Sequence, residues 1–226
     1  MALFSSAGLE FLFAWTHFLS GVTWIGLLYY FNFVQGAYFK ETDAAAKTAA
    51  TKLLVPRALW WFRWAALVTF LSGAAILTKW IMDGGMTVLA SSRGILITVG
   101  ALLGTLMFLN VWGIIWRNQK IVIAAANGQN IGDAAKAGAR ALVASRTNTM
   151  FSIPMLFFMG GASRLPLEMN PEMGHGMFWG AILVIIGALE INSIKGKLGP
   201  LETTKGVISC GFVLAAALYA CCEVLL

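Results

Sequence analysis

The sequence predicts an all-α fold: a polytopic membrane helical bundle of about six transmembrane helices with short cytoplasmic surface helices. Of its 226 residues, 59% are hydrophobic and only 12% are charged, whereas soluble domains carry roughly 45–50% apolar and about 25% charged residues. Uncharged runs recur along the whole chain at lengths near the ~17–25 residues that cross a bilayer. The same composition excludes a disordered chain, and 16 Lys and Arg residues argue against a nucleic-acid partner.

Each predicted helix rests on one uncharged run. The first lies between Glu10 and Lys40 and has 29 residues, and the longest of the others lies between Arg93 and Arg117 and has 23. The shorter runs also qualify, because Lys, Arg and Trp side chains at their ends extend to the interface. We expect one transmembrane domain over 1–226. Its predicted spans are 8–34, 59–82, 93–118, 146–163, 173–192 and 206–226.

Basic residues are unevenly distributed over the predicted loops. The loops after the first, third and fifth spans, together with Arg63, carry 13 of the 16 basic residues, which include Arg146. Loops rich in Lys and Arg stay on the cytoplasmic side. We therefore expect a bacterial inner membrane protein with both termini in the periplasm. The first span has no basic segment before it and is expected to remain in the mature protein.

Two loop segments predict helices, either lying on the membrane surface or continuing into the next span. ETDAAAKTAATKLL (41–54) and GDAAKAGARALVASR (132–146) are rich in Ala and place an acid before their basic residues, an order that suits the helix dipole. Their similarity, together with Asn32 and Asn110 near the ends of the preceding spans, indicates a repeat. GxxxG patterns at 100–104 and 176–180 predict close helix crossings.

His17 is an ionisable residue inside the first predicted span, and such residues are costly in a bilayer and often functional. Gly21 and Trp24 follow at helical spacing and share its face. A histidine beside a glycine recess framed by aromatic rings suits haem, and neutral imidazole is a common ligand of haem iron. The other interpretation is a histidine hydrogen-bonded between helices, with Gly21 allowing close packing. Both interpretations stand at this point.

His175 lies at the outer start of the fifth predicted span, in the sequence PEMGHGMFWG. It is either an interfacial loop residue or the second ligand of a bis-histidine haem, in which case 166–171 would have to re-enter the membrane. Met173 and Met177 are weaker candidate ligands beside it.

Amide side chains recur near the predicted cytoplasmic ends of the spans. They form either an interhelical hydrogen-bond cluster or a polar pocket for a small ligand. Arg63, in WWFRW, is expected to reach lipid phosphate or to pair with an anion such as a substrate or a haem propionate. The amides are Asn32, Gln35, Asn110, Asn148 and Asn192.

Several segments resemble the membrane domain of PuuD-type urate hydroxylases. WTHFLSGVTWIGLLYYFNFVQ (15–35) resembles that family's first helix, and ALWWFRWAALVTFLSG (58–73) resembles the helix that follows. NVWGIIWRNQKIVI (110–123) and SRTNTMFSIPMLFFMGG (145–161) resemble later segments. More distantly, the first helix resembles those of HemJ-type and CopD-type haem-linked membrane proteins.

The resemblance implies a membrane oxidoreductase with haem b at His17 and a pocket at Asn32, Asn110 and Asn148. In that family the membrane domain is joined to a periplasmic cytochrome c domain, and the sequence here contains no CxxCH. Electrons would therefore pass to a separate cytochrome c. The alternative function is a non-catalytic accessory subunit of a larger membrane complex. A CopD-like copper permease is a third class, which two histidines make less attractive.

Overall fold

The computed structural model describes residues 2–170 and 174–226, and within these ranges the chain is helical with no strand. Met173 lies outside them. Three single turns of 3-10 helix occur at Ala2–Phe4, Met86–Ala90 and Gly199–Glu202. The long helices are α1 (Ser6–Glu41), α2 (Ala44–Gly84), α3 (Ser92–Ala126), α4 (Ala134–Gly161), α5 (Gly176–Lys195) and α6 (Thr204–Leu225). This arrangement confirms the all-α prediction, with one helix at each predicted span.

Side chains cap most of these helices at their first turn, where backbone N–H groups have no partner inside the helix. Asp43 accepts from the N–H of Ala46 at 2.8 Å, and Asp133 accepts from that of Lys136 at 2.9 Å. An aspartate near the start of each Ala-rich segment is thus a helix cap. Ser5, Ser91 and Thr203 cap α1, α3 and α6 in the same way.

The Ala-rich segments are not separate surface helices, which corrects that part of the prediction. Each is continuous with the span that follows it, so α2 has 41 residues and α4 has 28. Good helix formers lead into the apolar run in both helices, and Pro56 lies inside α2 without ending it. Arg146 is accordingly no loop residue, because it lies inside α4 and is 6% exposed.

Five of the described helices, α1, α2, α3, α5 and α6, are long and apolar enough to cross a bilayer. The fourth helix, α4, is not among them because its middle is polar. Those polar side chains are all buried, which a helix enclosed by its neighbours tolerates better than a lipid-facing one. They are Arg146, Thr147, Asn148, Thr149 and Ser152. The orientation of the chain in a membrane stays a prediction.

A π-helical segment interrupts both α1 and α3. It covers Tyr30–Gln35 in α1 and Val111–Ile115 in α3. Asn32 lies within the first, and Asn110 directly precedes the second. Such segments are rare and frequently occur at functional sites. The two halves of the predicted repeat therefore share an irregularity as well as an Asp-capped, Ala-rich helix after it.

The chain divides into two compact units, and the prediction of a single domain stays a prediction. Unit 1 comprises Met1–Ile76 and Phe108–Arg146, and unit 2 comprises Leu77–Met107 and Thr147–Leu226. In unit 2, α3 and α4 approach closely at the first GxxxG pattern, since a Cβ on Gly100 would lie 3.3 Å from the backbone nitrogen of Met159. Nothing described lies within 4 Å of such a Cβ at Gly176 or Gly180, so the second pattern makes no such crossing.

Candidate functional site

His17 of α1 is half-buried and hydrogen-bonded to α2 within unit 1. Its Nδ1 lies 2.9 Å from the carbonyl oxygen of Thr69 and 3.3 Å from the hydroxyl of Ser72. A carbonyl oxygen only accepts, so Nδ1 carries the proton. In the neutral ring Nε2 then has the free lone pair. This tautomer is the one that a histidine ligating metal through Nε2 adopts.

Gly73 lets the imidazole of His17 lie against α2. A Cβ at this position would be 2.9 Å from Cε1 of His17 and 3.2 Å from Nδ1, closer than ordinary van der Waals contact. Any other residue would therefore push the ring away from Thr69. Thr69 also donates its hydroxyl to Ser20 of α1 at 2.9 Å. A small polar interface thus joins the two helices around the histidine.

The predicted recess at Gly21 and Trp24 is not open. A Cβ on Gly21 would lie 3.8 Å from the methyl group of Thr69, an ordinary van der Waals contact, so the side chain of Thr69 borders the space beside this glycine. Trp24 is only 2% exposed and belongs to the core. His17 and Gly21 lie in one helix, as predicted, but the face that they share packs against Thr69 of α2. Thr69, Ser72 and Gly73 are the residues that the sequence interpretation missed, although their own 0, +3, +4 spacing marks one helix face.

This interface provides a possible axial ligand for haem but not the predicted space for the ring. His17 offers an oriented nitrogen lone pair, as an axial ligand requires. Gly21 and Trp24 do not supply the predicted cradle. Within the described ranges no group of three or more His, Cys, Asp or Glu side chains is placed to hold a metal ion.

His175 is the residue before the first turn of α5 and accepts the N–H of Trp179 through its backbone oxygen at 3.0 Å. It belongs to unit 2, whereas His17 belongs to unit 1. Their pairing on one haem stays a prediction. Met177 is 67% exposed.

The predicted amide residues are mostly buried, and two of them, Asn32 and Asn148, donate hydrogen bonds to a neighbouring helix. Asn32 donates to the carbonyl oxygen of Leu28 at 2.9 Å and to the hydroxyl of Ser145 on α4 at 2.8 Å, all within unit 1. Asn148, fully buried in unit 2, donates to the carbonyl oxygen of Met107 at 2.9 Å. These contacts support the interhelical hydrogen bonds, while a pocket stays a prediction.

The other amides differ in their surroundings. Asn110 is 2% exposed. The Oε1 atom of Gln35 is buried without a hydrogen-bond partner. Asn192 is not part of a buried amide layer, because it donates to the carbonyl oxygen of Lys197 at the exposed end of α5.

Arg63 is enclosed by indole rings of unit 1. Its guanidinium carbon lies 3.9 Å from the ring centre of Trp116 and 5.8 Å from those of Trp64 and Trp112. A cation held over an indole face is attracted by the ring quadrupole. The Nε of Arg63 and the indole Nε1 of Trp112 are buried with no hydrogen-bond partner. Arg63 is therefore placed among aromatic rings and retains unused donors.

The five long apolar helices are those of a polytopic α-helical membrane protein. Its first two helices carry the hydrogen-bonded His17 and Arg63, which lies among indole rings. Residues 79–189, just under half of the chain, match the family model described as urate oxidase N-terminal. Over this segment the chain is similar to a family related to urate oxidase. No curated protein and no solved structure matches the chain. The matched segment includes Asn110, Asn148 and His175, and it begins after His17 and Arg63.

Proposed function

We propose that this chain is the membrane part of a redox-linked oxidoreductase resembling the PuuD-type urate hydroxylases. In this proposal His17 holds haem b and a separate cytochrome c receives the electrons. The match to a urate oxidase N-terminal model supports a relation to urate metabolism. The hydrogen bond from Nδ1 of His17 to Thr69 carries the haem part of the proposal, because it directs the lone pair of Nε2 away from the α2 backbone.

Haem, when bound, would supply an iron centre that accepts and gives up single electrons. The protein's own contribution is orientation. Thr69 holds the Nδ1 proton, Ser72 limits rotation of the ring, and Gly73 provides the space for it. A hydrogen bond from the remote ring nitrogen also raises the basicity of the ligating one.

The visible absorption spectrum tests this proposal. Wild-type protein, purified in detergent from cells supplied with a haem precursor, is expected to show a Soret band. His17→Ala is expected to lose that band while its helical circular dichroism and elution volume are unchanged. The reason is that no methyl group can replace an imidazole ligand. A colourless, folded wild-type protein would overturn the haem assignment.

His175→Ala is the matched variant, because it replaces the only other histidine of the chain. A Soret band that survives this change assigns His17 as a ligand without help from His175. A band lost in both variants indicates that the two histidines bind one haem.

An accessory subunit is the second candidate function, and α5 favours it. Around Gly176 and Gly180 no described atom would contact an added Cβ, and Val184 on the same face is 71% exposed. Small residues of this kind allow another helix to approach closely. Gly180→Leu should then release a co-purifying subunit without changing the thermal stability of this chain.

A further inference from the structure

Arg146 is a buried cation without a counter-charge. It lies in α4, is 6% exposed, and has its Nε and Nη1 atoms buried with no hydrogen-bond partner. Arginine stays protonated in proteins. A charge removed from water is strongly destabilising unless it is paired and hydrogen-bonded. An unpaired guanidinium at this depth therefore indicates a missing partner.

Among the described residues of unit 1, no carboxylate fills this role. The acidic residues of unit 1 all lie at helix ends, and no acid occurs in 11–40, 44–82, 92–132 or 134–167. Two of those terminal acids, Asp43 and Asp133, are already engaged as helix caps. Arg63 is similar, because among the described residues no acid is bonded to it and its Nε is buried without a hydrogen-bond partner.

Helix contacts place the two arginines near one level of unit 1. Asn32 of α1 is bonded to Ser145, the residue before Arg146. The ring of Phe31, the residue before Asn32, lies 5.5 Å from that of Phe62, the residue before Arg63. Neighbouring residues of α1 thus contact α4 and α2 beside the two cations.

Unused polar atoms at this level match an oxyanion that also carries a hydroxyl group. The unused donors are on Arg63, Arg146 and the indole of Trp112. One unused acceptor, Oε1 of Gln35, lies three residues beyond Asn32 on α1. Hydrogen phosphate and related phosphoryl groups present several acceptor oxygens and one O–H donor. Guanidinium groups bind such oxygens through charge-assisted hydrogen bonds.

We propose that Arg146 is the anchor of a buried site in unit 1 for a phosphate-type oxyanion, with Arg63 and Trp112 as further donors. This site is distinct from His17 and does not depend on haem. The oxyanion is either a free phosphate compound or the headgroup of an anionic lipid. Both sources present the same oxygens to the guanidinium.

Thermal unfolding in maltoside detergent, which contains no phosphate, tests the site. Inorganic phosphate in one arm, or phosphatidylglycerol added to the micelles in the other, is expected to raise the Tm of wild-type protein. The arm that gives the shift identifies the source. Sulfate, which has no O–H donor, is expected to bind more weakly than phosphate if Gln35 takes part.

Arg146→Met is expected to weaken binding of the effective anion by at least about tenfold and to raise the Tm of the anion-free protein. The rise follows because the variant replaces an uncompensated buried charge with an apolar side chain of similar length. Arg140→Gln is the matched control, since Arg140 is an exposed cation of the same helix, and it should keep the anion-dependent shift.

Four results would overturn the proposal. One is a wild-type Tm that neither anion changes. Another is an Arg146→Met protein that keeps the full shift, and the third is an equal loss in Arg140→Gln. Because Arg146→Met is expected to be more stable than wild type without anion, a less stable variant would also show that Arg146 has a structural role only.

Discussion

Gly73→Ala is expected to displace the imidazole of His17 from α2 and to remove most of the Soret absorbance per mole of protein. The added Cβ would lie 2.9 Å from Cε1 and 3.2 Å from Nδ1 of His17. The ring must therefore move by several tenths of an ångström or rotate, and either change lengthens or bends its 2.9 Å hydrogen bond to Thr69. We expect a loss of about 1–3 kcal/mol in the free energy of unfolding.

Absorption spectra and thermal melts of the same preparations measure both effects. Gly26→Ala is the control, because an added Cβ there meets no described atom within 4 Å, and it should keep the spectrum. Because Gly73→Ala keeps His17, this variant tests the orientation of the imidazole ring separately from the presence of the ligand. A full Soret band in this variant would show that the contact with α2 does not orient the ligand.

Gly94→Ala is expected to be strongly destabilising, lowering the free energy of unfolding by about 3 kcal/mol. Gly94 lies in the first turn of α3, beneath the short 3-10 helix Met86–Ala90. A Cβ there would clash with the carbonyl oxygen of Val88 and would lie 2.6 Å from Cα and 2.7 Å from the carbonyl carbon of Leu89. These are backbone atoms, so no side-chain rotation relieves the overlap.

The matched substitution is Gly113→Ala, in the same helix but with no described atom within 4 Å of the added Cβ. It should be neutral or stabilising by roughly 0.5–1 kcal/mol, because alanine loses less conformational entropy than glycine in a helix. Thermal unfolding in detergent compares the two variants directly. Equal effects at both positions would contradict the close approach at Gly94.

The segment that matches the family model does not include the proposed haem ligand. Residues 79–189 carry the relation to the urate-oxidase-related family, whereas the oriented histidine lies before them. Variants at His17 and Gly73 therefore probe the proposed haem ligand. Variants within the matched segment, such as those at Asn148, probe what the chain shares with that family.

The helices could be predicted well because their cause is local. Uncharged runs, terminal charges and the capping acids Asp43 and Asp133 are properties of contiguous sequence, and they predicted all six helices. The choice between surface helices and continuous ones was open, because a run of good helix formers allows both. Continuity depends on whether the backbone stays helical across the junction, and it does so in α4 and, despite Pro56, in α2.

The candidate site could be predicted only in part. The sequence predicted His17 and Arg63 as candidate residues because ionisable side chains are rare in apolar runs. It predicted Asn32 because a polar amide is also unusual there. Thr69 and Gly73 were missed, since their relation to His17 spans more than 50 positions of the chain. The opposite error occurred at Gly21, where the glycine predicted an open recess and the methyl group of Thr69 lies within van der Waals distance of an added Cβ.

The sequence by itself determined that this chain is a set of long apolar helices, with a histidine in the first and amides near one end of several. Only the tertiary structure decided which faces meet, and with them the proton position of His17, the aromatic enclosure of Arg63 and the burial of Arg146. The physical reason is the distance along the sequence over which the interactions act. Helix formation depends on neighbours within a few residues, whereas the state of a buried polar group depends on whichever helix is packed against it.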